Sequence, residues 1–255
     1  MDPKPLSIWN RVVISALSLI GFVGLWQAAV SLGGIDSATV PGPFQVWQAM
    51  VRSDFLLEDI WTSTRRVFLG FLMAIVIATP LGMVMGISRW IRVIFNPILS
   101  LIRPLPSMSW IPLSMIWFGI GEEQKVYIIF MGCFASVLVY TIEATMRVDT
   151  NLRMAARNLG ASRFQEIFYV ILPASLPTLL SGLKVNMAIA WTCVISAEMV
   201  GAMSGLGYVI IDANEYGNTA LIFAGMMGIS VTVLLLDIAF RGLEWLLLPY
   251  QRGVK

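Results

Sequence analysis

Six apolar runs, at about 12–32, 61–87, 91–120, 125–146, 175–202 and 220–248, constrain this chain more than any other feature. Crossing a bilayer takes about 20 mostly apolar residues, and inside lipid a helix satisfies every backbone hydrogen bond within its own segment. Composition decides between lipid and a protein core as the surroundings. Hydrophobic residues make up 58% of the chain and charged residues 13%, against roughly 25% charged in a soluble domain. So few charges cannot cover a folded surface in water, and the excess apolar side chains are expected to face lipid. The fold class that follows is an all-α membrane protein with six transmembrane helices. Pro104, Pro106 and Pro112 interrupt the third run, where a helix must kink or break.

Cations set the expected orientation. Lys4 and Arg11, then Arg89 and Arg92, then Arg147, Arg153, Arg157 and Arg163, and finally Arg241, Arg252 and Lys255 all fall on one side of such a bundle. The other side holds Arg52, Arg65, Arg66 and Lys125, together with Asp36, Asp54, Glu58 and Asp59. Loops rich in Lys and Arg stay in the cytoplasm, so both termini are expected there. The first run exceeds the 7–15 residues or so of a signal-peptide core and is expected to be an uncleaved anchor. Residues 1–60 then form an anchor helix and an outer interfacial segment, and 61–248 the transmembrane core. Phe44, Trp47, Met50 and Val51 recur at helical spacing after Pro43, which suits a short amphipathic helix at the outer interface; an ordinary connector is the alternative.

Several chemistries are excluded early. The chain has no histidine and two cysteines, Cys133 and Cys193, both inside apolar runs. That leaves no histidine acid–base pair or metal ligand, and no metal site is expected. The net charge of +2 gives no case for nucleic acid.

The longest inner loop, 147–173, carries the strongest functional signal. Asp149, Thr150 or Asn151 can cap a helix on which Leu152, Ala155, Ala156 and Leu159 share one face. Gly160 stops that helix. Ser162 caps a second, with Phe164, Ile167, Phe168 and Ile171 on its apolar side, and Leu172-Pro173 is expected to end it. Two short helices this apolar must lie either in a groove on a partner or on lipid headgroups.

The pattern Ala155-Ala156-x-x-x-Gly160, followed by Val170-Ile171-Leu172-Pro173, resembles the EAA loop of ABC importer permeases. Further stretches resemble the nitrate/sulfonate/taurine/bicarbonate branch of that family: Arg103-Pro104-Leu105-Pro106, Trp110-Ile111-Pro112-Leu113, Ala197-Glu198-Met199 and Ser204-Gly205-Leu206-Gly207-Tyr208. The resemblance spans about 40–241. Met154 stands where the family usually has Glu, with Arg153, Arg157 and Glu166 as substitutes for its polar contact.

This resemblance implies a type I importer permease of MetI-like fold in the bacterial inner membrane. It implies two ABC ATPase subunits, a second permease copy and a periplasmic or lipid-anchored substrate-binding protein as partners. Loop 147–173 would be the coupling helix, with Arg153, Ala155, Ala156, Arg157, Leu159, Gly160, Ala161 and Phe164 meeting the ATPase. The stretch 204–219, with Asp212 and Glu215, would face the binding protein; a solvated loop is the alternative. The chain has no Gly-x-x-x-x-Gly-Lys-[Ser/Thr] phosphate loop. ATP and magnesium are therefore expected on the partner ATPase, with no cofactor on this chain and no enzyme activity of its own.

Charges inside the runs are costly and mark function or pairing. Lys184 and Asp237 lie at similar depth and are expected to pair; the alternative is that Lys184 snorkels to the inner surface. Arg103 precedes the proline break, where a cation suits either an anionic solute or loose carbonyls of its own chain. Ser107, Ser109, Trp110, Asn186 and Glu198 complete the substrate-path candidates. Gly82, Gly86 and Gly201 are expected to permit close helix approach. The branch resembled implies a small anion such as nitrate, taurine, bicarbonate or an aromatic carboxylate. An ion-coupled secondary transporter is the competing class. It would show an internal repeat or paired broken helices, and only one broken run is present. A membrane enzyme would need convergent acid–base groups, which the runs lack.

Overall fold

The apolar runs become long helices in the computed structural model, which describes residues 8–34, 36, 38–53 and 56–248. Lys4, Asp54, Arg252 and Lys255 of the orientation argument lie outside the described residues, as does the Arg11 side chain. In chain order the helices are α1 (Ile8–Leu32), α2 (Pro43–Arg52), α3 (Leu56–Ile87), α4 (Arg89–Ile102), α5 (Ile111–Phe118), α6 (Glu122–Met146), α7 (Thr150–Asn158), α8 (Arg163–Glu166), α9 (Leu172–Glu198), α10 (Leu206–Glu215) and α11 (Thr219–Leu247). A 3₁₀ turn, Ser107–Trp110, joins α4 to α5, and a π-helical turn, Ile167–Ile171, joins α8 to α9. No strand occurs among the described residues.

Among the described residues, five helical stretches are long and apolar enough to cross a membrane: Val13–Leu32, Leu56–Ile87, Glu122–Met146, Arg163–Glu198 and Thr219–Leu247. The third predicted run is not one rod. Prolines 104 and 106 break it into α4 and α5. The pieces still travel along α6 in order: α4 meets Phe134 and Leu138, the turn meets Gly132, and Trp117 of α5 stacks edge-on against Tyr127. The broken run therefore lies along α6 in two pieces, antiparallel to it.

Helix α6 is the hub, with α3 on one flank and α9 on the other. On α3, Gly70, Ala74, Ala78, Gly82 and Gly86 recur every fourth residue and form one small ridge. That ridge lets backbones approach closely, the main source of helix association where lipid is as apolar as the side chains. A Cβ on Gly82 would lie 2.6 Å from Thr141 Cβ, and one on Gly86 2.5 Å from Thr145 Cβ. Gly70 faces Ile129 in the same way. Residues n and n+59 meet along the whole contact, so α3 and α6 run parallel in constant register. On the other flank Gly182 of α9 sits against the Tyr140 ring. Away from these contacts large apolar side chains point outward, among them Leu25, Phe68, Val76 and Leu234, as lipid-facing surfaces should.

Three local expectations change. Pro173 does not end the second loop helix, because the helical path continues unbroken from Arg163 to Glu198. A proline ring clashes with the carbonyl four residues back, here Tyr169, and the π turn re-routes the bonds at that point. Residues 206–215 are a helix rather than a solvated loop, packed on α11 through buried Leu206, Val209 and Ala213. Helix α2 forms over Pro43–Arg52 and leaves Phe44, Trp47 and Val51 exposed, but Met50 turns inward beside buried Val46.

Candidate functional site

At one end of the bundle, loop 147–173 is built by two caps and one glycine. The Asn151 N–H donates to Asp149 Oδ1 at 2.8 Å and starts α7. Gly160, at φ +83°, reverses the chain after it, in a left-handed conformation that side chains disfavour. Ser162 and Gln165 then bond each other's backbone N–H groups, a capping box that starts α8. The result leaves Leu152, Leu159 and Phe164 uncovered, at 52%, 89% and 69% exposure. Ala155 is exposed beside them, and Ala156 and Ala161 are half-buried. This is an apolar surface with no cover from its own chain.

The polar substitutes for the family's Glu bond to one another instead of projecting outward. Arg153 Nε donates to Glu166 Oε1 at 2.9 Å, and Arg157 Nε donates to Glu166 Oε2 at 2.9 Å. Glu166 is buried, so the three residues clamp α7 to the start of the α8–α9 helix. Met154 is exposed beside them on α7.

Midway along the bundle, the proline break opens a cavity of about 240 Å³ between α4, the 3₁₀ turn and α6. Arg103, Trp110, Gly132 and Ser136 line it. The Arg103 guanidinium is exposed and has no hydrogen-bond or ion-pair partner among the described residues; it does not cap loose carbonyls. Ser107 is half-buried against Gly132, and Ser109 is exposed. Asn186 does not line this space. It is fully buried, with Nδ2 donating to the Gly182 carbonyl of its own helix at 2.9 Å.

Glu198 is not on an open path either; it sits at the centre of a buried polar cluster near the end of the bundle opposite loop 147–173. Arg66 Nη1 donates to Glu198 Oε1 at 2.8 Å and to the Ser204 carbonyl at 2.7 Å. Arg66 also grips both carboxylate oxygens of Glu122. Ser63 Oγ donates to Glu198 Oε1 at 2.8 Å and accepts the Leu206 N–H at 2.9 Å. The Gly205 N–H donates to Asp59 Oδ1 at 2.6 Å, and the Gly207 N–H to Glu198 Oε2 at 2.9 Å. Three free N–H groups at the start of α10 thus end on oxygens of α3 and α9, where a helix N-terminus favours negative charge. Gly205, at φ +105°, is required here because a Cβ would land on the Glu198 carboxylate.

By charge pattern alone Arg66 and Lys125 are expected among the outer-segment cations. Both are buried, since Glu122 and Glu198 compensate the first and the Gly121 carbonyl accepts from the second at 3.1 Å. Asp59, Ser63 and Arg66 are spaced by four and three, one face of a helix, and that signal was available in the sequence. Farther along, Tyr208 donates to Asp212 at 3.3 Å, and the carboxylate holds the Tyr208 hydroxyl above its usual pKa. Glu215 is exposed. Gly201 meets Ile120, at 3.0 Å from its Cβ position.

Lys184 and Asp237 are brought together, Nζ to Oδ1 at 3.5 Å. The pair is not isolated. Arg241 also bonds Asp237, at 2.9 Å, and Glu244 lies 3.9 Å from Lys184. The four charges form a partly exposed ladder between α9 and α11.

The family model described as binding-protein-dependent transport system inner membrane component matches residues 67–249, most of the chain. The chain belongs to that family. Among its relatives, the permease is 32% identical to the taurine transport system permease protein TauC of Escherichia coli, over 98% of this chain and 94% of that one. It is also 32% identical to the putative aliphatic sulfonates transport permease protein SsuC of Bacillus subtilis, over 91% and 85%. A solved structure of the MetNI methionine ABC transporter shares the fold, with a TM-score of 0.68 at 21% identity over 75% of this chain and 95% of that one. The permease therefore has the MetI-like type I importer fold and is a transport component of an ABC importer.

Proposed function

We propose that this permease carries a small anionic solute inward past Arg103, driven by separate ATPase subunits that bind ATP and magnesium and seat on loop 147–173. The observation that carries the solute class is the unpartnered Arg103 guanidinium at the cavity of the broken crossing. A cation beside a helix break, with Trp110 and Ser136 around it, suits a sulfonate or carboxylate, in keeping with the sulfonate solutes named for TauC and SsuC. The uncovered Leu152, Leu159 and Phe164 face supports the docking role. In this reading both termini are cytoplasmic, a second copy of the chain completes the path, and a periplasmic or lipid-anchored binding protein delivers solute to the outer face.

The test is uptake in proteoliposomes holding permease, ATPase and binding protein. Uptake should require internal ATP, and Arg103→Ala should abolish it while the complex still assembles and hydrolyses ATP. Uptake driven by an ion gradient without ATP would instead favour a secondary transporter. Unchanged uptake in Arg103→Ala would remove Arg103 from the path.

A further inference from the structure

We propose that a second arginine pocket, between the α3–α4 turn and loop 147–173, binds the phosphate headgroup of an anionic phospholipid. The pocket has a volume of about 450 Å³, within the roughly 300–1,000 Å³ of ligand sites. Arg89, Arg153, Arg157 and Arg163 line it, against one carboxylate, Glu166. Glu166 is already engaged by Arg153 and Arg157. Arg89 and Arg163 have no hydrogen-bond or ion-pair partner among the described residues. Four cations around one engaged carboxylate leave positive charge that a bound anion would compensate. The guanidinium fork matches phosphate oxygens in pairs.

The remaining walls point to a lipid as the source of that phosphate. Val84 and Ile87 close the pocket at the end of α3, and Ile171 closes it from the π turn. These are the ends of membrane-crossing helices, the depth at which a headgroup meets its acyl chains. Trp90 stands beside them at 81% exposure, as tryptophans do at membrane interfaces. Basic pockets between helices on the cytoplasmic side suit anionic headgroups. The ATPase has a different claim on this loop. On α7 the uncovered Leu152 and Leu159 lie roughly a third of a turn from Arg153 and Arg157, at about 100° per residue. A partner seated on the apolar face leaves the arginine face to the pocket.

The inference rests on the coupling reading only for the side of the membrane. It is tested on the assembled permease–ATPase complex by native mass spectrometry after exchange into mixed phosphatidylglycerol and phosphatidylcholine. Wild type should retain phosphatidylglycerol in preference, and the double variant Arg89→Ala/Arg163→Ala should lose that preference by about tenfold or more, since each charge-assisted bond lost is worth at least about a factor of ten. Those two residues are chosen because neither holds Glu166. Equal retention of the two lipids by wild type, or undiminished preference in the double variant, would overturn the proposal. Displacement of phosphatidylglycerol by equimolar inorganic phosphate would assign the pocket to a free ion and overturn the lipid source. Binding by permease alone that vanishes on ATPase assembly would assign the arginines to the ATPase instead. ATPase copurification, scored in the same samples, reports separately on the coupling reading.

Discussion

Arg66 of α3 and Glu198 of α9 form a 2.8 Å ion pair in which both side chains are shut off from solvent. The two residues lie 132 positions apart in sequence, and their bond ties α3, α9 and the turn into α10. Removing Glu198 leaves Arg66 held by Glu122, but it strips the buried Ser63 hydroxyl and the Gly207 N–H of their acceptor, at about 1–3 kcal/mol for each buried group left unsatisfied. Glu198→Ala is therefore expected to lower the thermal midpoint of the detergent-purified permease sharply. Glu198→Gln, which keeps an acceptor for the Gly207 N–H, should lower it less. Equal midpoints for Glu198→Ala and wild type would contradict the role assigned to the pair.

Gly205→Ala should disrupt the same cluster from the backbone side. The substitution carries a φ cost of about 1–3 kcal/mol and pushes a methyl group into the Glu198 carboxylate. The expected outcome is a lowered thermal midpoint and faster hydrogen exchange confined to 204–215. Gly217→Ala, also at positive φ but with open space around it, should show a smaller shift and no effect on that segment.

Gly82→Val tests the ridge. Overpacking a close helix contact costs about 1–3 kcal/mol, and here the Thr141 side chain must move. Loss of midpoint without loss of helical circular dichroism is expected. Paired replacement with Thr141→Gly should recover part of it, because the atom nearest the new Cβ is Thr141 Cβ, which an alanine would keep.

Glu166→Gln should loosen α7 without unfolding it. Three charge-assisted bonds weaken at once, worth about 1–3 kcal/mol together because Arg157 is more than half exposed. Faster exchange at amides 150–158 and reduced coupling of ATP hydrolysis to uptake are expected, with ATPase binding retained. Unchanged exchange there would show that Glu166 does not clamp the loop.

The ladder between α9 and α11 predicts an asymmetry. Lys184→Met leaves Asp237 bonded to Arg241 and should lower the thermal midpoint little, as for other exposed pairs. Asp237→Asn leaves Lys184 and Arg241 without their shared carboxylate and should lower it more. Thermal midpoints of the two variants in one detergent decide the order.

How far the sequence carried depended on whether the information was local. Asp149 and Ser162 cap their helices where their residue types and spacing put them, and Gly160 turns the chain at the expected place, because caps and left-handed glycines act within a few residues. The break in the third run followed from its prolines, though not the 3₁₀ form of the turn. Arg66 was misplaced because a cation near a helix end resembles a loop cation until its partners are known. Those partners, Glu122 and Glu198, arrive from two other helices. Asn186 differs: its polarity suggested a path, its amide donates to the Gly182 carbonyl one turn back in its own helix, and only its burial depends on packing the sequence does not show. Pro173 failed as a stop because proline rules assume ordinary α geometry, and the π turn before it removes that assumption. Lys184 and Asp237 were legible as a pair by depth alone, but Arg241 and Glu244 were not.

The constant register of α3 on α6 has a mechanical consequence. Two parallel rods keyed every fourth residue cannot slide gradually; the next fit lies about 6 Å away. They must tilt or shift as one stiff beam, on the order of 37 Å long for the 25 residues of α6. One end of that beam carries Glu122, gripped by Arg66, and the other runs through Met146 into loop 147–173. A push on the loop therefore reaches the Arg66–Glu198 cluster as leverage, with little give in between.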